Sequence, residues 1–316
     1  MRVAAIDCGT NSLRLLVADV DPTEGTLRDV TREMVVVRLG EGVDRTGLFA
    51  AEALERALAA VDVYARTCRE FGAEAIRFVA TSASRDAANS DLLVAGVQRL
   101  LGVVPEIISG DEEARLSFRG ATGALADGLE GPFLVADLGG GSTELVLGDR
   151  EPQHAHSMNV GCVRLAERHL SADPPGARQI EAAARDIREA LDAAARDVPL
   201  AATRTLVGVA GTVTTITAHV LELDAYLPER IDGSILRIDD AVAGADDLLR
   251  MTRANRAELP FMHPGRVDSI GAGALVWREV MLRVRREVEL AGGVLDTVVT
   301  SEHDILDGIA LALASA

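Results

Sequence analysis

The stretch "AIDCGTNSLRLLV", residues 5–17, decides the fold. An apolar strand stops at Asp7, turns through Gly9, Thr10, Asn11 and Ser12, and resumes as a second apolar strand. The same arrangement returns 130 positions later as "VADLGGGSTELVL", residues 135–147, with Asp137, Gly139, Ser142 and Leu145 in the places of Asp7, Gly9, Ser12 and Leu15. Either turn alone is an ordinary hairpin built from common turn residues. Two aligned copies, each with an acid at the end of the first strand, point to function. Glycines let backbone N–H groups close on an anion and form a nest. Neither turn is a Walker loop, because the protein contains no lysine. Neither is a dinucleotide fingerprint, since "GGGST" leads into a strand where that fingerprint needs a helix.

Working outward, residues 2–6, 13–20 and 34–38 read as strands, with a turn at Pro22 and Gly25. Residues 50–71 show helical spacing that ends before Gly72. "AIRFVAT" reads as a strand, 91–101 as a helix, "PEIIS" as a short strand and 111–125 as a helix. Residues 128–132 are the candidate boundary, with a hinge over 126–131. The pattern then restarts with strands over 133–136, 144–147 and 154–158, and a helix over 163–170. A long helix over 180–197 carries charges that read as a solvated face. Strand 205–209, helix 212–221, helices 241–253 and 267–286, strand 293–299 and helix 302–314 complete the chain. The expected domains are 1–128 and 129–301, a duplicated architecture.

The 316 residues carry a net charge of −17, and all 32 basic residues are arginine. That acidity argues against non-specific nucleic-acid binding, which feeds on basic surface. A polyanion would have to be met locally, by arginines, backbone N–H groups or a metal. The three cysteines, Cys8, Cys68 and Cys162, form neither a disulfide framework nor a zinc spacing. There is no signal-peptide pattern at the N-terminus and no run of 18 apolar residues, so a cytoplasmic protein without membrane contact is expected.

Asp7 and Asp137 close apolar strands, where an unmet carboxylate is costly, and a hard cation such as Mg²⁺ or Mn²⁺ resolves that cost. Glu144 lies across the second turn, placed to orient a metal-bound water or the metal itself. In "IISGDEEARLSF" three consecutive acids open a helix, where acids suit the dipole and Asp111 suits a cap. His154 and His156 alternate on a strand without a third clear ligand.

Together these blocks resemble the exopolyphosphatase/guanosine pentaphosphate phosphatase (Ppx/GppA) family of the sugar kinase–Hsp70–actin superfamily. The resemblance runs from "AIDCGTNSLRLLVAD" through "ATSASRDAAN", "EIISGDEEARLSF", "VADLGGGSTELVLG" and "NVGCVRLAERHL" to "GVAGTVTTITAH" and "GRVDSIGAGALV". It implies an α/β fold of two RNase H-like (actin-like ATPase) domains with an interdomain active-site cleft, the last helix, 302–316, returning to the first domain. By the same resemblance Glu113 is the general base. Asp137 and Glu144 are the acids associated with Mg²⁺ and the attacking water. Gly9, Thr10, Asn11 and Ser12, and Gly139, Gly140, Gly141, Ser142 and Thr143, form the two phosphate loops. Arg85 holds the polyanion, and Arg14 and Arg266 are weaker candidates that suit ion pairs with surface acids equally well.

The implied activity is metal-dependent hydrolysis of terminal phosphate from inorganic polyphosphate. The runner-up is hydrolysis of pppGpp to ppGpp. A third reading, a non-turning-over sensor of (p)ppGpp or ATP, stays open on the turns alone. The family also implies a homodimer. Its longer members continue into helical domains, so this short form is expected to favour short chains. "SEHDILDGIALA" departs from the family pattern by having Asp307 where an arginine precedes the glycine in many relatives.

Overall fold

The computed structural model describes residues 1–21, 25–125 and 128–314. Pro22, and Ala126 and Asp127 of the expected hinge, lie outside them. Contacts divide the chain into two units: Met1–Gly120 with the segment from Asp304 on, and Ala121–His303. The change of unit therefore falls inside the helix Gly110–Gly123, ahead of the expected boundary at 128–132.

In the first unit β1 (Arg2–Cys8), β2 (Ser12–Asp21), β3 (Thr26–Val36), β4 (Ala75–Ala80) and β5 (Glu106–Ile107) form one sheet in the order β3-β2-β1-β4-β5. The β1-β2 and β2-β3 pairs are antiparallel, while β4 and β5 join in parallel. Alternation decides the packing. Ala4, Ile6 and Cys8 face one layer with Val61, Tyr64 and Phe78. Val3 and Ala5 face the other with Leu16, Leu116, Ile305 and Ile309. Covered on both faces, β1 can be a nearly unbroken apolar run.

β3 begins eight residues earlier than the expected 34–38. Its first half, "TLRDVTRE", is polar because β3 is an edge strand, and charge on an edge discourages pairing with other chains. The last helix runs Ile305–Ala314 and packs in the first unit. It starts later than expected because Asp304 Oδ1 accepts the Leu306 N–H at 3.0 Å, capping the first turn. Its crossing with Gly110–Gly123 is close. A Cβ on Gly120 would lie 1.8 Å from the Asp304 carbonyl oxygen, and one on Gly308 would lie 2.0 Å from that of Leu116.

The second unit repeats the plan. β6 (Phe133–Leu138), β7 (Thr143–Gly148), β8 (Pro152–Met158), β9 (Thr205–Val209), β10 (Ile235–Arg237) and β11 (Thr297–Thr300) stand in the order β10-β11-β9-β6-β7-β8. Read from β8 this is the first sheet again, β11 taking the place of β5, with β10 added as an antiparallel edge. β10 was not expected from sequence, and β11 starts at Thr297, not 293. The helix expected over 267–286 runs Ile270–Leu290 and seats Trp277 against β9. There Gly208 leaves the room: its missing Cβ would be 2.6 Å from the indole. The long helix, Ala177–Asp197, buries only apolar residues and keeps nearly all its charges exposed. From that face the exposed Arg188 reaches the buried Glu279, with Nε to Oε2 at 3.0 Å.

Candidate active site

Each unit carries one half of the expected chemistry. In the first, β1 ends at Asp7 and Cys8, and the turn over Gly9, Thr10 and Asn11 leads into β2 at Ser12. The turn is pinned through its carbonyls. Gly9 N–H donates to Ser12 O at 3.0 Å, Gly40 N–H to Thr10 O at 2.8 Å, and the N–H groups of Val37 and Arg38 to Asn11 O at 3.0 and 2.8 Å. Carbonyl oxygens that would repel an anion are thereby engaged within the protein.

Glu113 lies in the first turn of Gly110–Gly123 and is buried. That helix is capped by Ser109, whose Oγ accepts the Glu112 N–H at 3.2 Å. Asp111, the expected cap, instead pairs with Arg115 at 2.8 Å, its proper partner one turn on. Arg85, on the short helix Ser82–Asp86 after β4, donates to Glu113 Oε2 at 2.7 Å and to Ile108 O at 3.0 Å. Burial pushes the Glu113 carboxyl above the ordinary carboxylate range, against the pull of Arg85. Nearby negative charge on Asp7 adds to the push, and Thr81 opposes it with a hydrogen bond. A buried carboxylate with raised proton affinity, held by one guanidinium, suits a general base. Thr81 was missed in the sequence, although as the residue after β4 it occupies a usual site position for such sheets.

The second half is built on β6 and β7. Here the carbonyls are engaged by the start of the helix Cys162–His169. Cys162 N–H donates to Gly139 O at 3.1 Å, those of Val163 and Arg164 to Gly140 O at 2.9 and 3.2 Å, and Arg164 Nε to Gly141 O at 2.7 Å. Gly161 permits this approach, since a Cβ there would lie 2.4 Å from Gly140 O. Thr143 Oγ1 ties the turn to Val160 O at 2.6 Å. Ser142, Asp137 and Glu144 are buried.

The two copies differ at one register position. Asp7 stands across from Arg14, whereas Asp137 stands across from Glu144. The first copy meets its acid with a fixed cation: Arg14 Nε and Nη2 reach Asp7 Oδ2 at 3.0 and 2.7 Å. Burial raises the Asp7 carboxyl's proton affinity, and Arg14 works against it. The second copy sets two buried acids opposite each other, which is unfavourable without positive charge. Glu144 Oε1 accepts from Ser157 Oγ at 2.7 Å, and Ser157 is its cross-strand neighbour on β8. Once the β7-β8 hairpin is recognised, that register finds Ser157. Among the described residues no group of three or more His, Cys, Asp and Glu side chains is placed to hold a metal alone. Asp137 and Glu144 do fit Mg²⁺, which takes one or two carboxylates and completes its shell with phosphate oxygens and water.

Arg266, in the short helical turn Pro264–Arg266, reaches across to the turn after β9. Its Nη1 donates to Gly211 O at 3.3 Å and Thr215 Oγ1 at 3.4 Å, and a Cβ on Gly211 would lie 2.2 Å from its Cζ. His156, at 2.7 Å from Asp197, is in an ion-pair geometry.

A sheet plan used twice, each copy opening with strand, acid, anion-ready turn and strand, is that of a duplicated RNase H-like fold. The chain belongs to the Ppx/GppA phosphatase family, whose model matches residues 16–302. It is similar to exopolyphosphatase 2 of Mycobacterium tuberculosis, 49% identical over 320 aligned residues, 99% of this chain and 98% of that protein. A crystal structure of an exopolyphosphatase-like protein superposes with a TM-score of 0.95 at 47% identity, covering 98% of both chains. The Aquifex aeolicus Ppx-GppA enzyme superposes with a TM-score of 0.80 at 27% identity, covering 99% of both. Among the described residues no helix is long and apolar enough to cross a membrane.

Proposed function

We propose that the protein is an exopolyphosphatase that releases orthophosphate from the ends of inorganic polyphosphate. The observation that carries the reading is Glu113, a buried carboxylate of raised proton affinity fixed by Arg85 in an end-to-end relative of an exopolyphosphatase. Water attacks the terminal phosphorus, the P–O anhydride bond breaks, and the shortened chain leaves with the bonding pair. Glu113 accepts the proton that the water gives up. The two turns bind phosphoryl oxygens by backbone N–H groups, and Arg85 orients Glu113 while offering charge to the polyanion. Asp137 and Glu144 would hold Mg²⁺, which when bound supplies neutralisation of phosphoryl charge. Asp7, also expected at a metal, is met by the Arg14 guanidinium.

Phosphate release from defined chains of three to several hundred phosphates, with pppGpp as competitor, tests the reading. Metal-dependent release with kcat/KM per chain end levelling off after a handful of units is expected. The net charge of −17 and the lack of lysine leave only local contacts for a longer polymer. Higher kcat/KM on pppGpp would assign the guanosine reading, and tight nucleotide binding without turnover the sensor.

Two variants separate the roles. Asp137→Asn is expected to raise the Mg²⁺ concentration for half-maximal activity at least about tenfold, as ligand changes do. Arg85→Ala removes the strongest opposition to burial at Glu113, so the Glu113 proton affinity rises further. Because the ionised form is the base, the acid limb of the kcat/KM profile should move to higher pH, and kcat/KM should fall about 10–100-fold, the worth of a charged hydrogen bond.

A further inference from the structure

Arg14 looks from its position like a ready anion binder, two residues past Ser12 of the first phosphate turn. Its guanidinium is nevertheless engaged on both sides. Nε and Nη2 hold Asp7 Oδ2, and Nη1 holds Asp304 Oδ2. Asp7 Oδ2 in turn lies 4.0 Å from where a Cβ on Gly9 would be, so this junction abuts the turn itself. Both acids are buried, whereas the Arg14 side chain keeps 22% of its surface. One cation thus serves two carboxylates.

We propose that Asp304 is a specificity-determining residue: it withholds Arg14 from the anion at the Gly9 turn and thereby limits affinity for short polyphosphates. A guanidinium beside a phosphate turn is a strong, fork-shaped anion donor. Asp7 alone takes only Nε and Nη2, both through one oxygen, which leaves Nη1 to Asp304. Asp304 is itself fixed from the other side, because its Oδ1 caps the last helix by accepting the Leu306 N–H. The cap therefore anchors the restraint on Arg14. This inference rests on the polyphosphate reading.

Asp304→Asn isolates the effect. The amide oxygen keeps the cap, and the amide nitrogen turns a donor toward Arg14 Nη1, which cannot bond it. Tripolyphosphate is the probe, with its dissociation constant measured by calorimetry and its KM measured by phosphate release. The variant is expected to bind about 2–5-fold more tightly, the worth of one partly exposed ion pair. The salt dependence should steepen, and thermal stability should fall, because a buried ion pair loses one partner. Adding Arg14→Met should abolish the gain. A folded Asp304→Asn protein with unchanged or weaker tripolyphosphate binding overturns the proposal and leaves Asp304 as a helix cap. So does a gain that survives Arg14→Met. Should the amide prevent folding, Asp304→Ser keeps a capping oxygen and serves in its place. A parent protein without turnover of tripolyphosphate fails the functional reading; an active parent with an indifferent Asp304→Asn fails only this inference.

Discussion

Glu113→Gln is expected to lower kcat for polyphosphate by about 10²–10⁴, with KM changed little, the span associated with loss of a general base. Gln matches Glu in size and retains an acceptor for Arg85, so packing around residue 113 is conserved. What disappears is the proton acceptor. The pH profile gives the discriminating detail. In the parent, activity should fall as pH drops through the raised Glu113 value, because protonation then removes the base. In the variant that acid limb should be lost from the residual rate. A variant with parental kcat would return Glu113 to a purely structural role at the start of its helix, while a parental far-UV spectrum and Tm would exclude unfolding as the cause of a low rate.

Gly120→Ala is expected to destabilise the protein by about 3 kcal/mol or more, in the upper range for overpacking, as checked by denaturant unfolding. The added methyl would meet the backbone carbonyl of Asp304 at 1.8 Å, and a backbone atom cannot rotate away as a side chain can. Relief requires the two helices to part, which opens the layer formed by Leu116, Ile305, Leu306 and Ile309. Gly123→Ala, in the same helix, is the control. A Cβ there meets nothing within 4 Å, so the change should stay within about 1 kcal/mol. Since Glu113 and Gly120 share one helix, Gly120→Ala should also lower kcat in the fraction that remains folded.

The parts of the fold legible in sequence were those written locally. β1 and β6 are apolar runs stopped by an acid and a glycine turn, and their repetition in the sequence is the duplication of the fold. β3 is longer than its apolar run because an edge strand is half polar, which in sequence mimics a loop. The start of the last helix is not fixed by sequence because "SEHD" offers several caps, and the Asp304 contacts choose among them. At the site, the residue types were legible and their pairings were not. Arg85 and Glu113 are 28 positions apart, and Arg14 and Asp304 are 290 apart, separations at which spacing carries no geometric information. Arg14 was expected either to touch the polyanion or to pair with surface acids; its two acids are both buried. The contrast between Arg14 and Glu144, at equivalent places in the two hairpins, was visible as letters. It acquired meaning only through the register that sets each across from an aspartate.

The chain leaves the first unit within Gly110–Gly123 and re-enters it at Asp304, so the second unit is an insertion in the first. During synthesis, therefore, the inserted unit is complete on the nascent chain before its host. Until residues 305–314 clear the ribosome, Val3, Ala5, Leu16 and Ala18 lack the helix that covers them, and a sheet face waits exposed while more than half the protein is still being made. Such a face is prone to aggregation. Expression without the final helix should yield insoluble protein with a well-folded second unit inside it, recoverable by limited proteolysis as a fragment close to Ala121–His303.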